Sequence, residues 1–162
     1  MADVALQYLN AIRVAAFRHP GAHDPRLTDA TWQELIVWAS PRRLLGRTPD
    51  ARGIGLLWDD PRQFGPRERR YDVGVPIDAP DVDAIESPGF VVVTAPGRYL
   101  KATHEGGYDE ILATYDEVID GPLRYDGWTL LAQPIIEIYR NSPSEVPQAD
   151  LRTDIYFPVA KL

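Results

Sequence analysis

A motif written twice is the feature that most constrains this chain. "RRYDVGVPI" at 69–77 and "LRTDIYFPV" at 151–159 align as Arg70/Arg152, Asp72/Asp154, Val73/Ile155, Val75/Phe157, Pro76/Pro158 and Ile77/Val159, an offset of 152 − 70 = 82. The same offset aligns "GIGLLWDDP" at 53–61 with "IIEIYRNSP" at 135–143. Further upstream, "RVAAFRHPGAHD" at 13–24 matches "RYLKATHEGGYD" at 98–109 at an offset of 98 − 13 = 85. Two matched halves must therefore build one fold. We place the first repeat at about 4–77, an acidic two-proline linker at about 78–89, and the second repeat at about 90–159, all within a single domain at 1–162.

Between the matched segments each half carries helical periodicity. Trp32, Leu35, Ile36 and Ala39 fall on one helical face, and Thr31-x-x-Glu34 resembles a capping box. Ile111, Leu112, Tyr115, Val118 and Ile119 repeat the pattern, ended by Gly121-Pro122 or Gly127. The remaining segments are rich in β-branched and aromatic residues, with Gly, Pro, Asp or Asn at their ends. "FVVVTAPGRYLKA" reads as a hairpin turning at Ala95-Pro96-Gly97. Each half is thus strand–helix–strand–strand, and alone would leave a sheet face poorly covered. Pairing two halves about a pseudo-twofold axis solves this. The expected fold class is α+β, with mainly antiparallel sheet and a cleft between the halves.

Composition removes several function classes. There are no cysteines, which excludes disulfides, thiolate metal sites and a cysteine nucleophile. The net charge of −7 disfavours direct nucleic-acid binding, since phosphate contacts demand a basic face. No apolar run reaches the ~18 residues of a membrane helix, and the start lacks a basic-then-apolar leader, so no membrane role and a cytoplasmic location are expected. Three histidines on separate segments make no metal-ligand pattern, and "WDDP" reads as a turn, although Asp59-Asp60 is the best metal candidate. No cofactor motif occurs.

Taken in order, "GIGLLWDDP", "RYDVGVPI", "APGRYLKATHEGGYDEI", "PIIEIYRNSP" and "TDIYFPV" resemble the GyrI-like small-molecule-binding domain over roughly 4–159. That family includes a DNA gyrase inhibitory protein and the effector domains of AraC- and MerR-type multidrug regulators. The resemblance implies an aromatic-lined cleft between two strand–helix–strand–strand units, taking bulky, planar or cationic lipophilic ligands over a glutamate. By motif the glutamate is Glu137, the last-strand tyrosine is Tyr156, and the family G-P-Y turn is Gly106-Gly107-Tyr108, with Gly107 in place of proline. No helix-turn-helix is expected in a chain of this length, which would then act as a stand-alone ligand-binding unit. A subset of the family is similar to hydrolases that open the cyclopropane ring of DNA-alkylating natural products, and another branch acts on gyrase as a protein partner. We read a non-enzymatic binder, with the hydrolase and gyrase-modulating roles as alternatives.

The residues themselves point the same way at one position. Glu137 lies among Ile135, Ile136, Ile138 and Tyr139, and its repeat counterpart is Gly55 (137 − 82 = 55), which leaves room opposite the carboxylate. A buried carboxylate is costly unless an incoming cation compensates it. Cation-binding aromatics are drawn from Tyr139, Tyr156, Tyr108, Trp58, Tyr99 and Trp38, whereas Trp32 reads as helix core. His19 and His104, equivalent in the repeat, read as strand-end residues bonded to their turns. The Arg70/Asp72 and Arg152/Asp154 pairs read as scaffold, because a catalytic centre seldom needs two copies. The copies differ at Gly55/Glu137 and at Gly74/Tyr156, and both differences are expected at the ligand site.

Overall fold

The structure, a computed structural model, describes residues 3–162. Each half supplies four main strands and a helix. The first half runs β1 (Val4–Leu9), β2 (Arg13–Arg18), α1 (Asp29–Ala39), β3 (Gly53–Leu57) and β4 (Tyr71–Pro76). The second runs β5 (Phe90–Val93), β6 (Gly97–Glu105), α2 (Ile111–Asp120), a short α3 (Pro122–Tyr125), β7 (Trp128–Leu130), β8 (Ile135–Tyr139) and β9 (Arg152–Lys161). One antiparallel sheet runs β1-β6-β9-β8-β3-β4-β2-β5, with the small β7 paired to β9. Matched strands occupy matched places from either end, so β3 and β8 meet at the centre. In their register Gly53 pairs with Tyr139, Gly55 with Glu137 and Leu57 with Ile135. Of the residue pairs related by the 82-residue offset, Gly55 and Glu137 alone face each other across these strands, and the pseudo-twofold axis passes between them.

The outer strands depart from the expected hairpin. β5 pairs with β2 and not with β6, while β1 pairs with β6. The first strand of each half has crossed to the other half. Both edges of β6 are taken, by β1 and β9, so the free edge of β2 receives β5. Thr94 anchors the crossing: its N–H donates to the Ile12 carbonyl at 2.9 Å and its hydroxyl accepts from the Ile12 N–H at 2.8 Å. The halves are thus interlocked.

Both helices cover one face of the sheet. Alternation puts Ala15, Phe17, Val73, Val75, Leu100, Ala102, Ile135, Ile155 and Phe157 on that face, packed with Leu35, Trp38, Ile111, Tyr115 and Val118 from the helices. The opposite face forms a second core of Val14, Ala16, Ile54, Leu56, Tyr99, Ile136, Ile138 and Tyr156, with Leu9, Ile12, Trp58 and Phe90 packed against it. In α2 the buried residues are Ile111, Thr114, Tyr115 and Val118, matching the expected periodicity. In α1 the buried face is Thr31, Leu35, Trp38 and Ala39, about one position round from the expected stripe. Thr31 sits within the first turn rather than at its cap, because α1 begins earlier, after Thr28.

The repeated polar residues hold this scaffold. His19 Nε2 donates to the Ala22 carbonyl at 3.1 Å and Nδ1 meets the Thr31 hydroxyl at 2.7 Å. His104 does the same with the Gly107 carbonyl and Thr114, both at 2.8 Å. Each histidine ties a strand end to its turn and helix. The repeated aspartates are fully buried acceptors. Asp72 takes the Trp58 indole N–H at 2.6 Å and the Arg18 guanidinium, whereas Asp154 takes the Thr103 hydroxyl and Arg140 Nε, both at 2.7 Å. Arg70, by contrast, turns to Asp59 at 2.9 Å, and Asp60 accepts from Arg62 in the "WDDP" turn.

Candidate functional site

Glu137 follows from the strand pattern. On β8 it shares the helix-covered face with Ile135 and Tyr139, and it is only 2% exposed. An anion there must be satisfied by donors. Three phenols provide them. Tyr71 of β4 donates to Oε1 at 2.5 Å, Tyr139 of β8 donates to Oε1 at 2.7 Å, and Tyr115 of α2 donates to Oε2 at 2.6 Å. The Tyr71 and Tyr139 oxygens also lie 2.9 Å apart, but each phenol has one proton and both point at Oε1. Both carboxylate oxygens therefore act as acceptors, and among the described residues Glu137 has no ion-pair partner. Burial first, and the adjacent Glu137 charge second, push the Tyr71, Tyr115 and Tyr139 phenols well above their ordinary value.

Gly55 makes this arrangement possible. A Cβ there would overlap the Tyr71 hydroxyl and lie 2.5 Å from Glu137 Oε1. Gly53, two residues back on the same face, leaves space for the Trp32 ring, which a Cβ would approach to 2.8 Å.

Above this floor opens a cleft of about 500 Å³, lined from both halves by His23, Trp32, Ile36, Tyr71, Tyr108, Ile111, Glu137 and Tyr139. Its rim is polar, with Asp29, Gln33, Asn141, Ser142 and Ser144. Tyr139 stands between two rings, edge-on to Trp32 and to Tyr108, with centroids 5.2 Å away in both cases. Burial pushes the Tyr108 phenol up to about 12. Arg52 closes one side of the rim through a bidentate pair with Glu145 at 2.8 and 2.9 Å.

Of the aromatic residues expected at the site, Tyr139 and Tyr108 line the cleft and four others do not. Tyr156 and Tyr99 project from the opposite face of the sheet, edge-on to each other at 6.4 Å; the Tyr156 hydroxyl accepts from Arg140 at 2.8 Å and that of Tyr99 donates to the Ala95 carbonyl at 2.7 Å. Strand alternation separates them: positions 137 and 156 sit in adjacent strands with opposite phase. Gly74 accordingly makes no space for Tyr156. It admits Val14 and the β2 backbone, which a Cβ would strike. Trp58 is turned to Asp72, and Trp38 packs into the helix-side core against Phe17, under Arg42. Trp32, expected in the core, packs against it and also forms a wall of the cleft, because α1 is rotated relative to the expected stripe. Tyr71, Tyr115 and His23 were missed. For Tyr71 the signal was the rule that singled out Glu137, a large polar residue in one copy against an unlike one in the other: Tyr71 stands against Thr153 (71 + 82 = 153).

A family model for the GyrI-like small-molecule-binding domain matches residues 2–160. The chain belongs to that family. The probable transcriptional regulator YgiV of Escherichia coli K12 is 29% identical over 160 residues, covering 98% of this chain and 96% of its own. The fold is shared with the C-terminal domain of EcmrR, at TM-score 0.76 and 17% identity over 100% of this chain and 99% of that one. It is shared also with SAV2435 solved bound to tetraphenylphosphonium, at TM-score 0.69 and 18% identity over 98% and 94% of the two chains. Small-molecule binding is thus the family's defining property. No helix among the described residues is long and apolar enough to cross a membrane.

Proposed function

We propose that this member of the GyrI-like family binds bulky amphipathic organic cations, with the positive charge near Glu137 and the apolar body against Trp32, Tyr108 and Tyr139. The observation that carries this reading is a buried carboxylate, held by three phenols and without a cationic partner among the described residues, at the floor of an open aromatic cleft. Among the described residues no cation forms an ion pair with Glu137, so a ligand that brings one adds an interaction the phenols do not supply. At a separation of about 6 Å and an effective dielectric of about 20, the attraction is on the order of 3 kcal/mol. The ring faces add ~0.5–2 kcal/mol. Tetraphenylphosphonium, bound by the similarly folded SAV2435, is a ligand of this chemistry.

The test is a thermal-shift comparison of tetraphenylphosphonium with the anion of the same shape, tetraphenylborate. The cation is expected to raise the melting temperature and the anion not to. Equal shifts, or none with any lipophilic cation, would remove the reading. A second reading rests on the 2.5 Å approach of the Tyr71 phenol to Glu137, an acid–base pair within the cleft. It makes the protein a hydrolase opening cyclopropane rings, with Glu137 as base or acid. Consumption of a cyclopropane-bearing alkylator beyond one equivalent would favour it.

A further inference from the structure

His23 sits in the same cleft and has no part in the carboxylate network. It is 2% exposed, its backbone N–H donates to the Pro66 carbonyl at 2.8 Å, and its ring lies 4.7 Å from that of Tyr71. Nδ1 is 3.3 Å from a guanidinium nitrogen of Arg69, itself held by Nε donating to the Phe64 carbonyl at 2.9 Å. Arginine has only donors, so Nδ1 is the acceptor and the ring proton is on Nε2. That N–H has no partner among the described residues. Among the described residues the sealed side-chain atoms without a partner are Trp38 Nε1 and Thr153 Oγ1; His23 Nε2 is not one of them, and His23 lines the cleft. His19 and His104 differ: both of their nitrogens are engaged by the protein.

We infer that His23 is a specificity-determining residue whose Nε2–H donates to an oxygen acceptor on the ligand, so that the preferred ligand is a lipophilic cation that also carries a carbonyl, amide or ether oxygen. The inference rests on the cation-binding reading above. Burial holds the His23 imidazole below its ordinary value, with Arg69 and His19 adding to the effect and Glu137 and Asp24 opposing it. The donor is therefore uncharged at neutral pH and does not repel the cation. A buried donor left unpaired by its ligand costs affinity, and a site built this way discriminates against ligands lacking the acceptor.

The experiment titrates two probes, benzyltriphenylphosphonium and its 4-carbamoylbenzyl analogue, into the wild-type protein, His23→Phe and His23→Gln, with a melting curve for each variant. The wild type is expected to prefer the carbamoyl probe by roughly two- to tenfold, the range of one neutral hydrogen bond. In His23→Phe, which keeps a flat ring, that preference should vanish while the melting curve still reports a folded protein. In His23→Gln, whose amide offers an N–H near the Nε2 position, it should partly return. A preference that survives in His23→Phe, or is absent from the wild type while both probes bind, overturns this inference alone. Failure of both probes to bind the wild type overturns the cation-binding reading and this inference with it.

Discussion

Gly55→Ala isolates the geometry on which the site depends. Gly55 does not have a positive φ, so alanine meets no backbone penalty there, and the lower conformational entropy of the unfolded alanine chain would by itself favour it by about 0.4–1 kcal/mol. The new methyl, however, takes the space of the Tyr71 hydroxyl. Moving the hydroxyl away breaks a hydrogen bond to a charged acceptor, about 1.5–3 kcal/mol. Overpacking between β3, β4 and β8 adds about 1–3 kcal/mol. Because the two share the same displacement, the net loss is set at about 2–4 kcal/mol. For a chain of this size that is about 5–15 °C in melting temperature. Gly65→Ala is the control, since a Cβ there meets nothing within 4 Å. Urea denaturation of wild type, both alanine variants, Tyr71→Phe and the Tyr71→Phe/Gly55→Ala double mutant completes the cycle. With the hydroxyl gone, the alanine should cost at least about 1 kcal/mol less than it does in the wild type. Additive costs, or a Gly55→Ala protein as stable as Gly65→Ala, would refute the proposed crowding at the axis.

Other consequences concern placement and protonation. Tyr156→Phe should leave cation affinity within about twofold of wild type while costing about 1 kcal/mol of stability, whereas Trp32→Ala should weaken binding about tenfold; isothermal titration distinguishes them. His23, held below its ordinary value of 6.5, is taken up as a charged ring more readily by the unfolded chain. Its contribution to stability is therefore complete above about 6.5 and is lost as the pH falls from there towards the folded-state value, and denaturant melts of His23→Gln should show a shallower acid slope over that window. Tyr71, Tyr115 and Tyr139 behave in the opposite sense. Their raised values make the contribution complete below about 10 and lost as the pH rises through the folded-state values, so phenolate absorbance should appear together with alkaline unfolding rather than before it.

Much of the fold is legible in the repeat. Two copies of strand–helix–strand–strand are enough to expect a symmetric antiparallel sheet, and the offset that equates Gly55 with Glu137 also marks the axis. Strand exchange is not legible, because the local turn chemistry of Ala95-Pro96-Gly97 suits a hairpin as well as a crossing. The choice is made by which strand edges remain free, a tertiary property. At the site, alternation along β8 is sufficient to place Glu137 beside Tyr139. Tyr156 could not be placed, since pairing register between β8 and β9 decides whether 137 and 156 share a face, and nothing local encodes it. Trp32 and Tyr115 show a related limit. Apolar periodicity marks the inward side of a helix but not whether a ring there meets the core or an open cleft. His23, on an irregular segment before α1, has no periodicity at all.

The central claim, that Glu137 selects a cation, is tested most directly by calorimetric titration of tetraphenylphosphonium into the wild-type protein and Glu137→Gln. Glutamine keeps the size of the side chain and one carbonyl acceptor for Tyr71 and Tyr139, so the variant should fold. Loss of the charge should weaken binding about ten- to hundredfold, in line with an attraction of up to ~3 kcal/mol. Equal affinity in the two proteins, or no heat of binding in the wild type at any accessible concentration, would contradict the account.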